Sequence, residues 1–368
     1  MRALWLVREN LERHPGGDTT QILQTRAALE RLGVQVILAH RLPAPPLACD
    51  LVHLFHLDRL WEHLSVCRRL RAGRVPAVLS TIYWPSDEFD RAGRSGWQGR
   101  LARAFGSRRY QSLRLVQRFA LDSLRRRTLR GWDRRLLDFQ AAARYLLESV
   151  AVILPNSAAE LREIQVRFGV ERPAVIVPNA ADVATFGPGV DVAPGGRAGV
   201  LCVGRIEPRK NQLALIEALR GTDIPLTIVG APGRFNARYA RRCRQAAGPQ
   251  TRFLGRREPT ALRDLYQAAR VHACVSWYET PGLASLEAGL CGCNLVVTPG
   301  GCTREYFGQQ AFYARPDDPA SIRAAVEAAL AAAPRPELAR RIARKFNWDA
   351  AARNTLRGYE LALRTARV

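Results

Sequence analysis

Hydrophobic positions along the chain fall into short runs separated by segments of longer period. "ALWLV", "VQVILA", "DLVHLFHL" and "AVLSTIY" are apolar, β-branched runs of the length of a buried strand. Between the first two, apolar residues recur at helical spacing from about Thr20 to Leu32, and Gly33 closes the segment. Later runs read "VAVILPNS" as a strand, "AAELREIQVRFG" as a helix and "PAVIVPN" as a strand. They follow a long helix through "RRLLDFQAAARYLLES". A second alternation starts at "GVLCVG". It continues through helix 211–220, "PLTIVG", helix 236–247, "TRFLG", helix 260–269, "VHACVSW", helix 283–291, "NLVVT", the short strand "AFYA" and helix 319–333. The tail from Asn347 is a last amphipathic helix.

Strands alternating with helices predict an α/β fold in which parallel sheets are covered on both faces. Residues 178–199 are rich in Gly, Pro and Ala without periodicity and divide two such halves. The expected organisation is residues 1–180 as an N-terminal domain, 181–198 as a linker, 199–346 as a C-terminal domain and 347–368 as a terminal helix. Two doubly wound Rossmann-like domains facing across a cleft would collect their functional loops at the C-terminal strand ends.

The chain has 368 residues, enough for two domains. No apolar run reaches the roughly 18–20 residues of a membrane span. "MRALWLVREN" runs from a strand straight into a polar loop, so the expectation is no signal peptide and a cytoplasmic location. The eight cysteines are scattered, and Cys291 and Cys293 are separated by one residue, not by the two of a zinc or redox motif. Reduced, buried thiols are expected. His53 and His56 have no third ligand in view, so neither a metal nor another cofactor is assigned.

Charge changes the picture more. The formal net charge is +23, and every basic residue except Lys210 and Lys345 is arginine. Residues 91–135 hold fourteen arginines against Asp122 and Asp133, a local net of +12, and are expected to form a basic insertion in the first domain. Drawn as a helix, Leu113, Val116, Ala120 and Leu124 form one stripe, while Arg114, Arg118 and Arg125 cluster on another face. With Trp97, Phe105 and Trp132 interspersed, the segment suits an anionic membrane surface as partner, which would make the protein peripheral on the inner face of the membrane. No nucleic-acid-binding motif accompanies the charge, so nucleic acid is not expected as a partner.

Two motifs carry chemistry. In "GRIEPRKNQ", Arg205 and Lys210 flank a proline turn that leads into a helix, an arrangement suited to a pyrophosphate. In "YETPGLASLEAGLCGC", Glu279 stands where a strand emerges and Glu287 lies about two turns inside the next helix. Carboxylates accept hydrogen bonds from vicinal hydroxyls, and the Pro281–Gly282 turn offers N–H groups beside them. Each motif alone also fits a solvated loop or helix face. Together at one sheet edge they match sugar hydroxyls, pyrophosphate and ribose, the parts of a nucleoside-diphosphate sugar. A nicotinamide dehydrogenase is excluded because no G-x-G-x-x-G opens a helix after a strand.

On "GRIEPRKN", "ETPGLASLEAGLCG", "PNAAD", "HPGGDTTQIL" and "NWDAAARNTL", the chain resembles the retaining glycosyltransferases of GT-B architecture, family 4 (glycosyl transferases group 1) type. The resemblance implies that Arg205 and Lys210 hold the donor diphosphate. It implies that Glu279 binds the transferred sugar, Glu287 the ribose, and the Gly282–Leu283 backbone the sugar or phosphates. Gly16 and Gly17 would approach the donor phosphates, Asp18 and Thr19 would face the acceptor, and the final helix would cross back to the first domain. Two positions depart from the pattern. Pro281 stands where an aromatic residue is usual, and "STIYW" offers Tyr83 where many members have a histidine; His56 is a substitute candidate. The implied activity is metal-independent, retaining transfer of a hexose to a glycan or lipid-linked glycan acceptor, in biosynthesis of a capsule, exopolysaccharide or lipopolysaccharide. A GT-B-fold nucleotide-sugar epimerase and a basic, non-catalytic binding protein are the alternatives.

Overall fold

A computed structural model describes residues 1–9, 11, 16–44, 48–73, 75–126, 132–187, 196–233, 235–280 and 282–365. Pro281 and residues 188–195 of the expected linker lie outside the described residues. The chain divides into two compact units. Unit 1 comprises Met1–Pro85, Leu101–Asn179 and Trp348–Val368, and unit 2 comprises Ser86–Arg100 and Ala180–Asn347.

Unit 1 is built on β1 (Arg2–Leu6), α1 (Gly17–Arg31), β2 (Gln35–Ala39), β3 (Leu51–Phe55), α2 (Leu60–Ala72) and β4 (Ala77–Ser80). Next come α3 (Gly96–Arg126), α4 (Phe139–Ser149), β5 (Val152–Ile153) and α5 (Ala158–Phe168). The five strands are parallel in the order β2-β1-β3-β4-β5. All five residues of β3 are buried, as continuous apolar runs in a doubly covered sheet should be. The expected strand "PAVIVPN" is reduced to one bridge between Ala174 and Ile153, because Pro173 and, on the partner segment, Pro155 have no N–H to give to the ladder. The helix expected through "RRLLDFQ" begins only at Phe139, where the Asp138 carboxylate caps Gln140 N at 2.8 Å; a 3₁₀ turn precedes it.

Unit 2 holds β6 (Ala198–Val203), α6 (Gln212–Ala218), β7 (Leu226–Val229), α7 (Ala237–Ala246), β8 (Thr251–Gly255), α8 (Pro259–Ala268) and β9 (Ala269–Cys274). After these come α9 (Leu283–Leu290), β10 (Asn294–Val297), α10 (Thr303–Phe307), β11 (Ala311–Tyr313), α11 (Pro319–Ala331) and α12 (Pro336–Lys345). Its six parallel strands run β11-β10-β9-β6-β7-β8. The terminal helix α13 (Trp348–Thr365) lies in unit 1, where the Tyr359 hydroxyl accepts from Trp5 Nε1 at 2.8 Å and meets His53 Nδ1 at 2.7 Å.

The expected basic insertion at 91–135 is divided between the units. Ser86–Arg100 belongs to unit 2 because Gly93 packs directly on the Trp277 ring, where a Cβ would approach within 2.3 Å, and Phe89 lies 6.3 Å from the same ring. From Leu101 onward α3 lies on unit 1, burying Leu115 and Phe119 in its core.

Candidate active site

In unit 2 the chain first builds outward from β6 to β7 and β8, then returns to place β9 on the other side of β6. Such a reversal opens a crevice outside the carboxyl ends of the two central strands. The loop after β6 carries Arg205 and Lys210, and the loop after β9 carries Glu279. Both motifs therefore stand at the switch point. Asn211, in the left-handed region (φ 59°), ties the loops together: its amide donates to Val275 O at 3.2 Å and Pro316 O at 2.7 Å. Trp277 N donates to Arg209 O at 2.9 Å.

This bracing delivers Lys210 Nζ to within 2.5 Å of Glu279 Oε1. The second cation at that carboxylate is Arg209, whose guanidinium is 3.5 Å from the same oxygen and donates to Tyr278 O at 3.0 Å. Arg205 stays 56% exposed, 3.7 Å from Glu207. Glu279 itself is only 6% exposed. Burial pushes its carboxyl pKa up, but Lys210, then Arg209, and a hydrogen bond from Ser276 outweigh that and hold it at about 2. The carboxylate in turn raises the Arg209 guanidinium against its own burial. Arg209 is shared with Glu207, to which it donates at 3.1 Å, so Arg205, Arg209 and Lys210 face the two carboxylates Glu207 and Glu279, a net excess of one positive charge suited to an anionic ligand.

The main chain of Glu279 is clamped by a loop that the sequence reading overlooked. Glu279 N donates to Gly300 O at 3.2 Å, and Cys302 N donates to Glu279 O at 2.8 Å. Gly301 has φ +92°, and a Cβ there would lie 1.9 Å from Glu279 O. The signal was available in "TPGGC", a double glycine directly after a strand. Gly282 (φ +91°) opens α9, whose first residue is Leu283. One turn further on, the partly buried Glu287 accepts a hydrogen bond from the buried Tyr266 hydroxyl at 3.1 Å. Burial raises the Glu287 pKa to about 7, opposed by that hydrogen bond and reinforced by Asp182.

Unit 1 reverses between β1 and β3, and its candidate residues gather at that switch point. Gly16 caps α1, which begins at Gly17, and Gly16 N donates to the Thr19 hydroxyl at 3.1 Å. Thr19 is buried, its hydroxyl also accepting from Arg8 at 2.8 Å and donating to Leu11 O at 3.2 Å. Asp18 pairs with Arg8 at 2.6 Å and lies 3.4 Å from His56 Nε2. Burial pushes the Asp18 carboxyl up, yet His56 and Arg8 hold it well below the usual carboxylate range. His56 takes positive φ (70°), as does Ile82 (40°), a strain that tends to collect at functional sites. Tyr83, expected as a sugar contact, packs in the core of unit 1 with its ring 5.6 Å from Phe168.

Glu160 was not anticipated. Fully buried, its carboxylate accepts from the Thr81 hydroxyl, from Tyr83 N at 2.8 Å and from Asn156 N at 2.8 Å, bracing the strained turn after β4. Burial raises its pKa to about 7 despite those donors. A pocket of 730 Å³ opens beside β1 and β2, with His40, Trp61, Glu62, Arg69 and Asp122 among its lining. The arginines expected as a membrane patch are engaged within the protein: Arg114 lies over Tyr110, Arg118 over Trp61, and Arg125 pairs with Glu9.

Residues 190–346 match the family model described as glycosyl transferases group 1. A D-inositol 3-phosphate glycosyltransferase of Geodermatophilus obscurus is 32% identical over 238 residues, covering 57% of this chain and 52% of that protein. A glycogen synthase of Mycobacterium tuberculosis is 30% identical over 262 residues, covering 64% and 61%. The match thus spans between about half and three fifths of the length of these relatives. Among solved structures, sucrose-phosphate synthase from Thermosynechococcus elongatus superposes with a TM-score of 0.73 at 18% identity, over 98% of each chain. Anabaena HepE, solved in complex with UDP and glucose, superposes with a TM-score of 0.64 at 16% identity, over 97% of this chain and 98% of its own. These likenesses carry the fold, two Rossmann-like domains of the GT-B kind.

Proposed function

We propose, from the match of residues 190–346 to the glycosyl transferases group 1 model, that the protein is a retaining, metal-independent hexosyltransferase using a nucleoside-diphosphate sugar. The observation that carries the reading is the pair of cations, Lys210 and Arg209, on buried Glu279 at the β6/β9 switch point. Cleavage of the anomeric C–O bond builds negative charge on the departing diphosphate and positive charge on the sugar. Lys210 and Arg205 act where the first develops. Glu279 orients sugar hydroxyls, Glu287 takes the ribose, and the backbone at Gly282 and Leu283 meets the phosphates. The acceptor oxygen bonds to the anomeric carbon on the face the diphosphate leaves, and its proton passes to a phosphate oxygen.

The acceptor reading rests on unit 1. Asp18 and His56 stand at its switch point, Gly16 and Gly17 are assigned to the donor phosphates by the family resemblance alone, and the 730 Å³ pocket mixes aromatic, carboxylate and guanidinium groups as glycan recognition requires. A glycan or lipid-linked glycan acceptor in cell-surface polysaccharide assembly, reached from the cytoplasmic face of a membrane, fits this chemistry.

Thermal shift against nucleoside diphosphates and their hexose conjugates tests the donor site, followed by turnover with and without chelator. Stabilisation by at least one diphosphate and chelator-resistant release of it from the sugar are expected. No stabilisation by any of them would overturn the reading, and activity restored only by magnesium or manganese would remove its metal-independent clause.

A further inference from the structure

Helix α3 is apolar on two opposite sides. Leu115 and Phe119 enter the core of unit 1. At about 100° per residue, Leu113, Leu121 and Leu124 fall within about 80° of one another on the side facing away from that core. They are 51%, 59% and 75% exposed. Of the large hydrophobic side chains most exposed among the described residues, about half lie between Trp97 and Leu137, so the apolar surface is gathered on one stretch of chain. It continues into a groove of 710 Å³ between Phe105, Leu113, Val116 and Leu137. Arginines border the stripe on both flanks, Arg114, Arg118 and Arg125 on one and Arg109 on the other.

A contiguous, uncovered apolar patch of this kind marks an interaction surface. Its charge pattern selects the occupant. A protein partner for a leucine stripe would need acidic rims matched residue by residue, whereas an anionic bilayer matches any arginine border, because guanidinium groups on long stems reach phosphate level while the leucines enter the acyl boundary. Arg114, Arg118 and Arg125 contact Tyr110, Trp61 and Glu9 along that border while Arg118 and Arg125 stay exposed, so charge is shared with the protein and apolar insertion is the principal attachment.

We infer that the outward leucine stripe of α3 inserts into the interface of an anionic membrane, with its flanking arginines at the headgroups. This deepens the membrane clause of the preceding reading and is independent of the donor chemistry.

The test is flotation with vesicles of phosphatidylglycerol and phosphatidylcholine, comparing wild type with the triple variant Leu113→Ser, Leu121→Ser, Leu124→Ser. Because these side chains are exposed, the variant should melt as wild type does. Wild type should bind, and a substantial fraction should stay bound at 1 M salt, where the Debye length has shrunk to about 3 Å. The variant should bind roughly tenfold or more weakly at low salt and not at all at high salt. Complete release of wild type at high salt, or equal binding by the variant, overturns the inference. So does a wild-type dimer without vesicles that dissociates in the variant, since a second copy would then cover the stripe. Nucleoside-diphosphate stabilisation, measured on the same two proteins, should be equal in both; its absence from both would count against the donor site alone.

Discussion

Replacing Lys210 by methionine removes the cation nearest to Glu279 and leaves a buried carboxylate with Arg209 alone, 3.5 Å away. The favourable interactions displace the Glu279 pKa from 4.5 to about 2, and each unit is worth about 1.4 kcal/mol, so the charges around it contribute at least about 3 kcal/mol. Losing the largest of them should cost roughly 2–3 kcal/mol of stability at neutral pH, within the range for breaking a buried pair. The sign with pH follows. A carboxyl held below its unfolded value contributes stability that is present above about 4.5 and is lost as the pH falls through about 2. The difference between wild type and Lys210→Met should therefore be full at pH 7 and shrink toward pH 2. Turnover should fall by roughly 10²–10³, the scale for losing one charge-stabilising group. A second change separates the two effects. In Lys210→Met/Glu279→Gln no uncompensated anion remains, so most of the stability should return while turnover stays low. Denaturant unfolding and initial rates at saturating donor read both quantities. If the rate recovers with the stability in the double variant, or if Lys210→Met turns over as wild type, the lysine acts only on the fold and the diphosphate assignment is wrong.

Glu287→Ala should weaken binding of the free nucleoside diphosphate, whereas Glu279→Ala should spare it and impair sugar transfer; equal losses by calorimetry would contradict the division of roles. Because burial holds the Glu287 pKa at about 7, the stability of its protonated form is full below about 4.5 and lost as pH rises through 7. Glu287→Gln should accordingly gain on wild type between pH 5 and pH 8, by up to roughly 3 kcal/mol in thermal melts, and a constant difference across that range would refute the buried-carboxyl argument. Gly301→Ala would place a methyl carbon against the Glu279 carbonyl in a left-handed backbone, so turnover should drop about tenfold or more even if the variant folds. Wild-type kinetics there would show that the clamp does not set the Glu279 position.

The two alternating halves, their parallel sheets and the loops bearing Lys210, Glu279 and Glu287 could all be derived from the residue pattern. Period is a local property, and each motif sits beside its own strand. What lay beyond the sequence depends on which loops the sheet order brings together. Arg209, not Arg205, became the second partner of Glu279, because Trp277 and Asn211 anchor the turn across the switch point. Gly301 proved to be a clamp because its loop follows β10, the strand beside β9. Glu160 is one acidic residue in a helical run until β4 and β5 lie side by side and point Thr81, Tyr83 and Asn156 at it. On α3, helical period picked out the stripe through Leu113 and Leu124 and passed over the one through Leu115 and Phe119. Only packing decided that Leu115 and Phe119 face the core while Leu113 and Leu124 face outward, since burial is a property of what the rest of the chain brings to each side.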